Sequence, residues 1–283
     1  MLKTIAKHRH QIVLKNRVLN FKNRTLIMGI LNVTPDSFSD GGRYNRVDKA
    51  VQHALEMIED GADIIDIGGE STRPGHEPVP ADIEMERVIP VIRAIREVSD
   101  VPISIDTYKA VTARAALEAG ADIINDVWGA KADPEMAKTA ALYDAPIILM
   151  HNRRDAHYDD LIEDMKKDLL ESIEMVKRAG VTDDKIILDP GIGFAKTYKD
   201  NLTVMRHLEA FHELGYPILL ATSRKSFIGK TLNAEVDERL EGTGATVCLG
   251  IAKGCHMVRV HDVKPIAKMV KMMDAMLYDG GEE

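Results

Sequence analysis

Gly61-Ala62-Asp63-Ile64-Ile65-Asp66 returns almost unchanged as Gly120-Ala121-Asp122-Ile123-Ile124-Asn125. In both places a helix-stopping glycine precedes a β-branched run, so the chain repeats a βα unit. Working outward from these two copies, such runs recur eight times: LIMGILN at 26–32, DIIDIGG at 63–69, PISIDT at 102–107, DIINDV at 122–127, PIILMH at 146–151, IILDPG at 186–191, PILLATS at 217–223 and MVRVHD at 257–262. Their nearly continuous apolar character marks strands covered on both faces, as in a parallel sheet. Between them lie stretches with apolar residues at three- and four-residue spacing, among them VDKAVQHALEMIEDG, IEMERVIPVIRAIREVS, TARAALEAG, LIEDMKKDLLESIEMVKRAG and IAKMVKMMDAML, which read as crossover helices. Pro90 inside the second of these is expected to kink or split it.

Eight units in 283 residues, without a low-complexity linker, favour a closed (β/α)8 barrel of the α/β class over an open doubly wound sheet. Gln11 to Val13 and Val18 to Phe21 read as a short N-terminal β-hairpin ahead of it. The expected organisation is one domain over 1–283, with the hairpin at about 10–22 and the barrel at about 25–278.

Composition narrows the function classes. A hydrophobic fraction of 45% and a charged fraction of 29% are those of an ordinary globular protein. A formal net charge of -8 argues against a broad nucleic-acid surface, while a local anion pocket stays allowed. Cys248 and Cys255, the only cysteines, read as seven apart in one helix and form no CxxC pattern, so a reducing cytoplasm fits best. No N-terminal apolar region and no membrane-length apolar run is present, so neither secretion nor a membrane partner is expected.

Strand parity assigns direction. Residues i and i+2 of a barrel strand share a face. With Val258 and Val260 turned toward the helices, Arg259 and His261 point inward at the C-terminal mouth. The same parity sends Ile103 and Ile105 outward with Ser104 and Asp106 inward, sets Asp189 opposite Leu188, and sets Asn125 opposite Ile124. Any one Asp or Asn at a strand end can simply cap the next helix. Asn32, Asp106, Asn125, Asp189, Lys225, Arg259 and His261 together, on six strand ends and with cations among them, point instead to an active face.

Arg259 and His261 precede Pro265, a good first-turn residue for the last helix, and Ser223-Arg224-Lys225-Ser226 fills the loop after the seventh strand. Barrel phosphate sites commonly use these two loops, so a phosphorylated ligand is expected. Asp106 and Asp189, with Asn125 between, suit a flat heterocycle with several N–H donors at its edge. Gly191-Ile192-Gly193 reads as backbone room near that ligand, and the long polar segments at 32–42 and 70–80 read as lids.

At this point the motifs carry a resemblance. Leu31-Asn32-Val33-Thr34-Pro35-Asp36-Ser37-Phe38-Ser39-Asp40 and Asp66-Ile67-Gly68-Gly69-Glu70-Ser71-Thr72-Arg73-Pro74 resemble the two signatures of the dihydropteroate synthase family, a pterin-binding barrel family. Asp189-Pro190-Gly191-Ile192-Gly193-Phe194, Ser223-Arg224-Lys225-Ser226-Phe227 and Arg259-Val260-His261-Asp262 are similar to further motifs, so the likeness spans roughly Leu26 to Asp274. Ala195, where a glycine is common, and His151-Asn152-Arg153 depart from the pattern.

The resemblance implies condensation of 6-hydroxymethyl-7,8-dihydropterin diphosphate with 4-aminobenzoate in folate biosynthesis, a homodimer, and sensitivity to sulfonamides as a class. It implies a pterin held by Asp106, Asn125, Asp189 and Lys225, and a diphosphate held by Arg259, His261 and Thr72. It also implies Mg2+ on Asn32 and an aminobenzoate framed by Ser226, Phe194, Phe38, Arg73 and Pro74. Asp106, Asp189, Lys225, Arg259 and His261 are the expected catalytic set, with no general base assigned. The alternatives are a pterin-dependent methyltransferase using methyltetrahydrofolate, which needs no such anion pocket, and a non-catalytic pterin-binding paralogue. Met269, Met272, Met273 and Met276 on the last helix read first as core, with packing on a partner as the other use.

Overall fold

A computed structural model describes residues 11–15, 17–34, 43–71 and 77–278, with the side chains of 43–45 left aside. Its elements in chain order are β1 (Gln11–Val13), β2 (Val18–Asn20), β3 (Leu26–Asn32), α1 (Arg43–Glu59), β4 (Ile64–Gly68), α2 (Ala81–Val98), β5 (Ile103–Asp106), α3 (Ala110–Ala119), β6 (Ile123–Asp126), α4 (Met136–Leu142) and β7 (Ile147–Met150). There follow α5 (Leu161–Arg178), β8 (Ile186–Asp189), α6 (Tyr198–Arg206), β9 (Leu219–Leu220), α7 (Ser226–Leu232), α8 (Leu240–Ala252), β10 (Met257–Val260) and α9 (Val263–Leu277).

The eight expected strands all form. Strands β8-β7-β6-β5-β4-β3-β10-β9 pair side by side in parallel, and a bridge between Leu188 and Ile218 joins the last to the first and closes the barrel. The helix-stopping glycines behave as read: Gly120 closes α3 in the left-handed region at φ 115, and Gly61 sits at φ 107 just after α1.

Parity decides what each strand buries. Ile65, Ile67, Ile103, Ile105, Ile124, Leu188, Val258 and Val260 join the helices in the outer core. Leu26, Met28, Ile64, Ile123, Ile148, Ile187, Leu219 and Met257 point inward and fill the lower barrel. The hairpin of β1 and β2, which pair antiparallel, closes that end from below: Ile12, Leu14 and Phe21 belong to the inner apolar cluster. Above this layer the inward residues turn polar, so the sequence divides the interior into an apolar floor and a charged mouth.

Three expectations change. Pro90 neither splits nor ends its helix, because α2 runs unbroken from Ala81 to Val98 with Val88, Val91, Ile92 and Ile95 buried around it. Cys255 does not share a helix with Cys248: α8 stops at Ala252, and Gly254 turns the chain at φ 87 into β10. The methionines of α9 divide, Met269 and Met273 packing on the core while Met272 and Met276 are exposed. No described helix is long and apolar enough to cross a membrane.

Buried Lys185 latches the hairpin to the barrel, its Nζ donating to Val13 O at 2.8 Å, Asp144 O at 3.0 Å and Asp144 Oδ2 at 2.9 Å. Lys185→Met is expected to lower unfolding free energy by roughly 1–2 kcal/mol, since the hairpin carbonyl of Val13 loses a charged donor. A urea titration checks this, and an unchanged midpoint would remove the latch from the account.

Candidate active site

The rim is assembled by register. Asn32 lies opposite Gly68, Gly68 opposite Asp106, and Asp106 opposite Asn125, which carries one level of the mouth across β3, β4, β5 and β6. Gly68 packs closely there: a Cβ would be in van der Waals contact, 3.6 Å from both Asn32 Oδ1 and Asp106 Cβ. Arg259 enters from β10 and lies between two carboxylates, donating from Nε to Asp66 Oδ2 at 2.5 Å and from Nη2 to Asp106 Oδ2 at 2.6 Å. Asn125 Nδ2 donates to the same Asp66 oxygen at 3.2 Å.

These charges are out of water, and their titration reflects it. Burial pushes Asp106 up to about 7, with Arg259 pulling it down and Asp66 pushing it up. Burial works against the Arg259 cation, but Asp66 and Asp106 outweigh it and hold it fully charged. Asp189 is raised by burial, opposed by Lys225 and Arg259, and its Oδ1 accepts from Gly191 N at 2.7 Å. Burial brings Lys225 down to about 8, opposed by Asp189. Asp66 Oδ1, Ser104 Oγ and Asp106 Oδ1 are buried without a hydrogen-bond partner among the described residues. Unsatisfied buried acceptors of this kind mark a place where a donor belongs.

The structure therefore brings Asn32, Asp106, Asn125, Asp189, Lys225 and Arg259 to one mouth. His261 stands just past β10, its Nδ1 2.9 Å from Ser223 Oγ, which also accepts from its backbone N–H. The Lys225 ammonium lies 4.7 Å from the Phe194 ring centroid and donates to Ile192 O. Ser226 is the exposed first residue of α7, beside Lys225. Phe38, Thr72, Arg73 and Pro74 lie outside the described residues. Arg224 is occupied, its guanidinium bound to Asp262 at 2.9 and 2.5 Å, so it ties the loops after β9 and β10 together.

Two features escaped the sequence reading. Asp66, fully buried inside β4, was quoted only as part of a motif, although its inward parity in DIIDIGG was legible. The second is a chain of polar contacts behind the turn after β8. His151 Nε2 meets Asp168 Oδ2 at 3.0 Å, Arg153 donates to the same oxygen, and Lys196 Nζ reaches His151 Nδ1 at 2.9 Å. Nothing in sequence spacing couples these four. A cavity of about 490 Å³ lined by Trp128, Lys131, Asn152, Arg153, His157 and Asp168 opens at the far end of this chain and contains none of the expected site residues.

The sequence profile described as "Pterin binding enzyme" matches residues 28–261. The chain is 65% identical to the dihydropteroate synthase of Bacillus subtilis (strain 168) over 267 residues, 94% of each protein. It superimposes with a TM-score of 0.88 and 54% identity on the dihydropteroate synthase of Clostridium difficile solved in the presence of pteroic acid, over 90% of this chain and 97% of that one. For the Xanthomonas albilineans enzyme in complex with 7,8-dihydropteroate the values are 0.87 and 38%, over 94% and 98%. A barrel with this mouth defines the pterin-binding enzymes as a class. Within that class, the chain belongs to the dihydropteroate synthase family.

Burial holds His151 down to about 4, from an ordinary 6.5, with the Asp168 hydrogen bond pulling the other way. An unfolded histidine takes up its proton near 6.5 while the folded one resists until about 4, so stability drains as pH falls through that window. Denaturant midpoints measured between pH 7 and 4 are expected to drop less steeply in His151→Gln, and parallel profiles would refute the burial of a neutral imidazole.

Proposed function

We propose that this mouth condenses 6-hydroxymethyl-7,8-dihydropterin diphosphate with 4-aminobenzoate to give 7,8-dihydropteroate and diphosphate. The observation that carries the reading is the buried Asp106 with an unpartnered oxygen, bound to an arginine that the other acid, Asp189, also faces. Acceptors alone do not hold a phosphorylated ligand, and cations alone do not hold a pterin; both occur here on one rim.

In this reading Asp106, Asn125 and Asp189 accept and donate at the edge of the pterin ring, and Lys225 adds a further donor. Arg259 already spends two nitrogens on carboxylates, so it offers Nη1 to the diphosphate, joined by His261, Thr72 and the first turn of α9. The bond between the pterin methylene and the diphosphate oxygen breaks, the electron pair leaving with diphosphate. Asp106 and Asp189 stabilise the positive charge left on the pterin. The arylamine nitrogen then bonds to the methylene carbon and releases a proton to solvent. An arylamine attacks without prior deprotonation, so no base is required. Phe194 and Ser226, with Phe38, Arg73 and Pro74, frame the aminobenzoate and exclude water that would otherwise capture the cation.

Mg2+ fits only as a site that substrate completes. Among the described residues no three His, Cys, Asp or Glu side chains cluster to hold a cation, but Asn32 carries an amide oxygen at the rim beside Gly68 and Asp106. Mg2+ is commonly held by few protein oxygens plus substrate phosphates, and when bound it neutralises the leaving group. We also place the protein in the cytoplasm as a homodimer. The unpaired thiols of Cys248 and Cys255 support the compartment, and exposed Met272 and Met276 on α9 leave apolar surface for a second copy.

A diphosphate-release assay with pterin diphosphate, with and without 4-aminobenzoate and Mg2+, tests the reaction directly. Asp189→Asn or Arg259→Ala is expected to cut turnover by roughly 10²-fold or more, the scale of losing one preorganised electrostatic contact. Near wild-type turnover in either would remove that residue from the site. Because Asp106 is pushed up to about 7, its acceptor form declines as pH falls below that value, and KM for the pterin substrate is expected to rise there.

A further inference from the structure

The turn between β8 and α6 does three jobs at once. Gly191 N fixes Asp189 Oδ1, Ile192 O receives the Lys225 ammonium, and Phe194 sets its ring against the same ammonium. Its backbone is not one that ordinary residues choose. Gly191, Gly193 and Ala195 lie at φ 68, 88 and 47, three left-handed positions in five residues. A Cβ on Gly191 would collide with the His151 carbonyl, so that position admits only glycine. Ala195, where the sequence departs from the family's common glycine, takes the strained conformation with a side chain in place.

One part-buried side chain clamps this turn. Lys196 Nζ reaches Gly191 O at 3.0 Å, Phe194 O at 3.0 Å and His151 Nδ1 at 2.9 Å. An ammonium has three N–H donors, and these are three acceptors. The imidazole can accept because its other nitrogen faces the carboxylate of Asp168, which accepts only and is itself held by Arg153. Hydrogen bonds from His151 and Arg153 overcome burial and keep Asp168 well below the usual carboxylate range. The network thus fixes the histidine tautomer and presents a lone pair to Lys196.

We propose that Lys196 is a positioning residue for arylamine addition: by tying Gly191 and Phe194 to His151 it holds the turn so that Phe194 and the Lys225-bearing surface meet the incoming amine in one geometry. The proposal rests on the reaction assigned above. It separates the two substrates. Asp189 belongs to the barrel strand and keeps its Gly191 hydrogen bond, so the pterin side stays built when the clamp loosens, whereas Phe194 lies at the turn's middle and depends on it.

Charge on Lys196 gives a readout beyond structure. Burial brings it down to about 7, opposed by Asp189; Lys225 lowers it further, while Asp200 and Asp168 raise it. The other groups facing it are the neutral His151 and, at Ala195 O, the Tyr158 hydroxyl at 2.8 Å. Above about pH 7 the neutral amine has only two N–H groups for three acceptors, so one clamp bond is lost as pH rises.

The test uses the full chain, steady-state dihydropteroate formation, and KM for each substrate from about pH 6 to about pH 8.5. Lys196→Met is expected to raise KM for 4-aminobenzoate by roughly tenfold at every pH, the loss of about one charged hydrogen bond, with KM for the pterin within about twofold. Lys196→Arg, charged throughout, is expected to restore a low arylamine KM and remove the alkaline rise expected of the wild type. An arylamine KM within about twofold of wild type in Lys196→Met, or equal losses for both substrates, overturns the proposal. If Lys196→Met does not fold, an arylamine profile in Lys196→Arg that still rises above pH 7 as in wild type overturns it equally. Absence of dihydropteroate from the wild-type chain would instead sink the assigned reaction and leave this residue's role a separate matter.

Discussion

A cation buried inside the barrel is the constraint on which the rest of the mouth depends. Arg259 cannot be desolvated alone; it is tolerable because Asp66 and Asp106 meet it from β4 and β5. Those same partners are what make the site selective. Asp66 gives one oxygen to the arginine and Asn125, Asp106 gives one to the arginine, and the second oxygen of each is unpartnered among the described residues. An arrangement that served stability alone would satisfy both oxygens. Leaving one open stores an interaction for a ligand that brings its own donors.

The apolar floor makes this arrangement affordable in dielectric terms. Ile64, Ile123, Ile148 and Ile187 fill the barrel below, and the hairpin residues Ile12, Leu14 and Phe21 close it, so water does not reach the charges from underneath. Electrostatic interactions at the mouth are correspondingly strong, and the raised carboxyls and lowered lysines are its consequence. A leaving group with several negative charges and a cationic pterin fragment can both be stabilised there, since acids and cations are interleaved around one small space.

Much of this was legible in the chain. Strand parity in PISIDT, DIINDV, IILDPG and MVRVHD placed Asp106, Asn125, Asp189 and Arg259 inward, and the structure carries each of them there. Parity is local, so it survives folding. What failed to be read had non-local causes. The unbroken α2 follows from burial of its apolar face on both sides of Pro90, and the contacts of His151, Asp168 and Lys196 join the end of β7, α5 and the turn after β8. The left-handed Ala195 likewise has no signature in composition.

The sequence by itself determined the eight-fold βα repeat, the inward side of each strand, the polar loops after β9 and β10 and the family motifs, because these depend on neighbours along the chain. Only the tertiary structure decided that Arg259 is shared between Asp66 and Asp106, that Arg224 is taken by Asp262, and that Lys196 closes on two carbonyls and a histidine. Pairing among charged groups is settled by distance and burial across segments far apart in the chain, and neither quantity exists until the barrel closes.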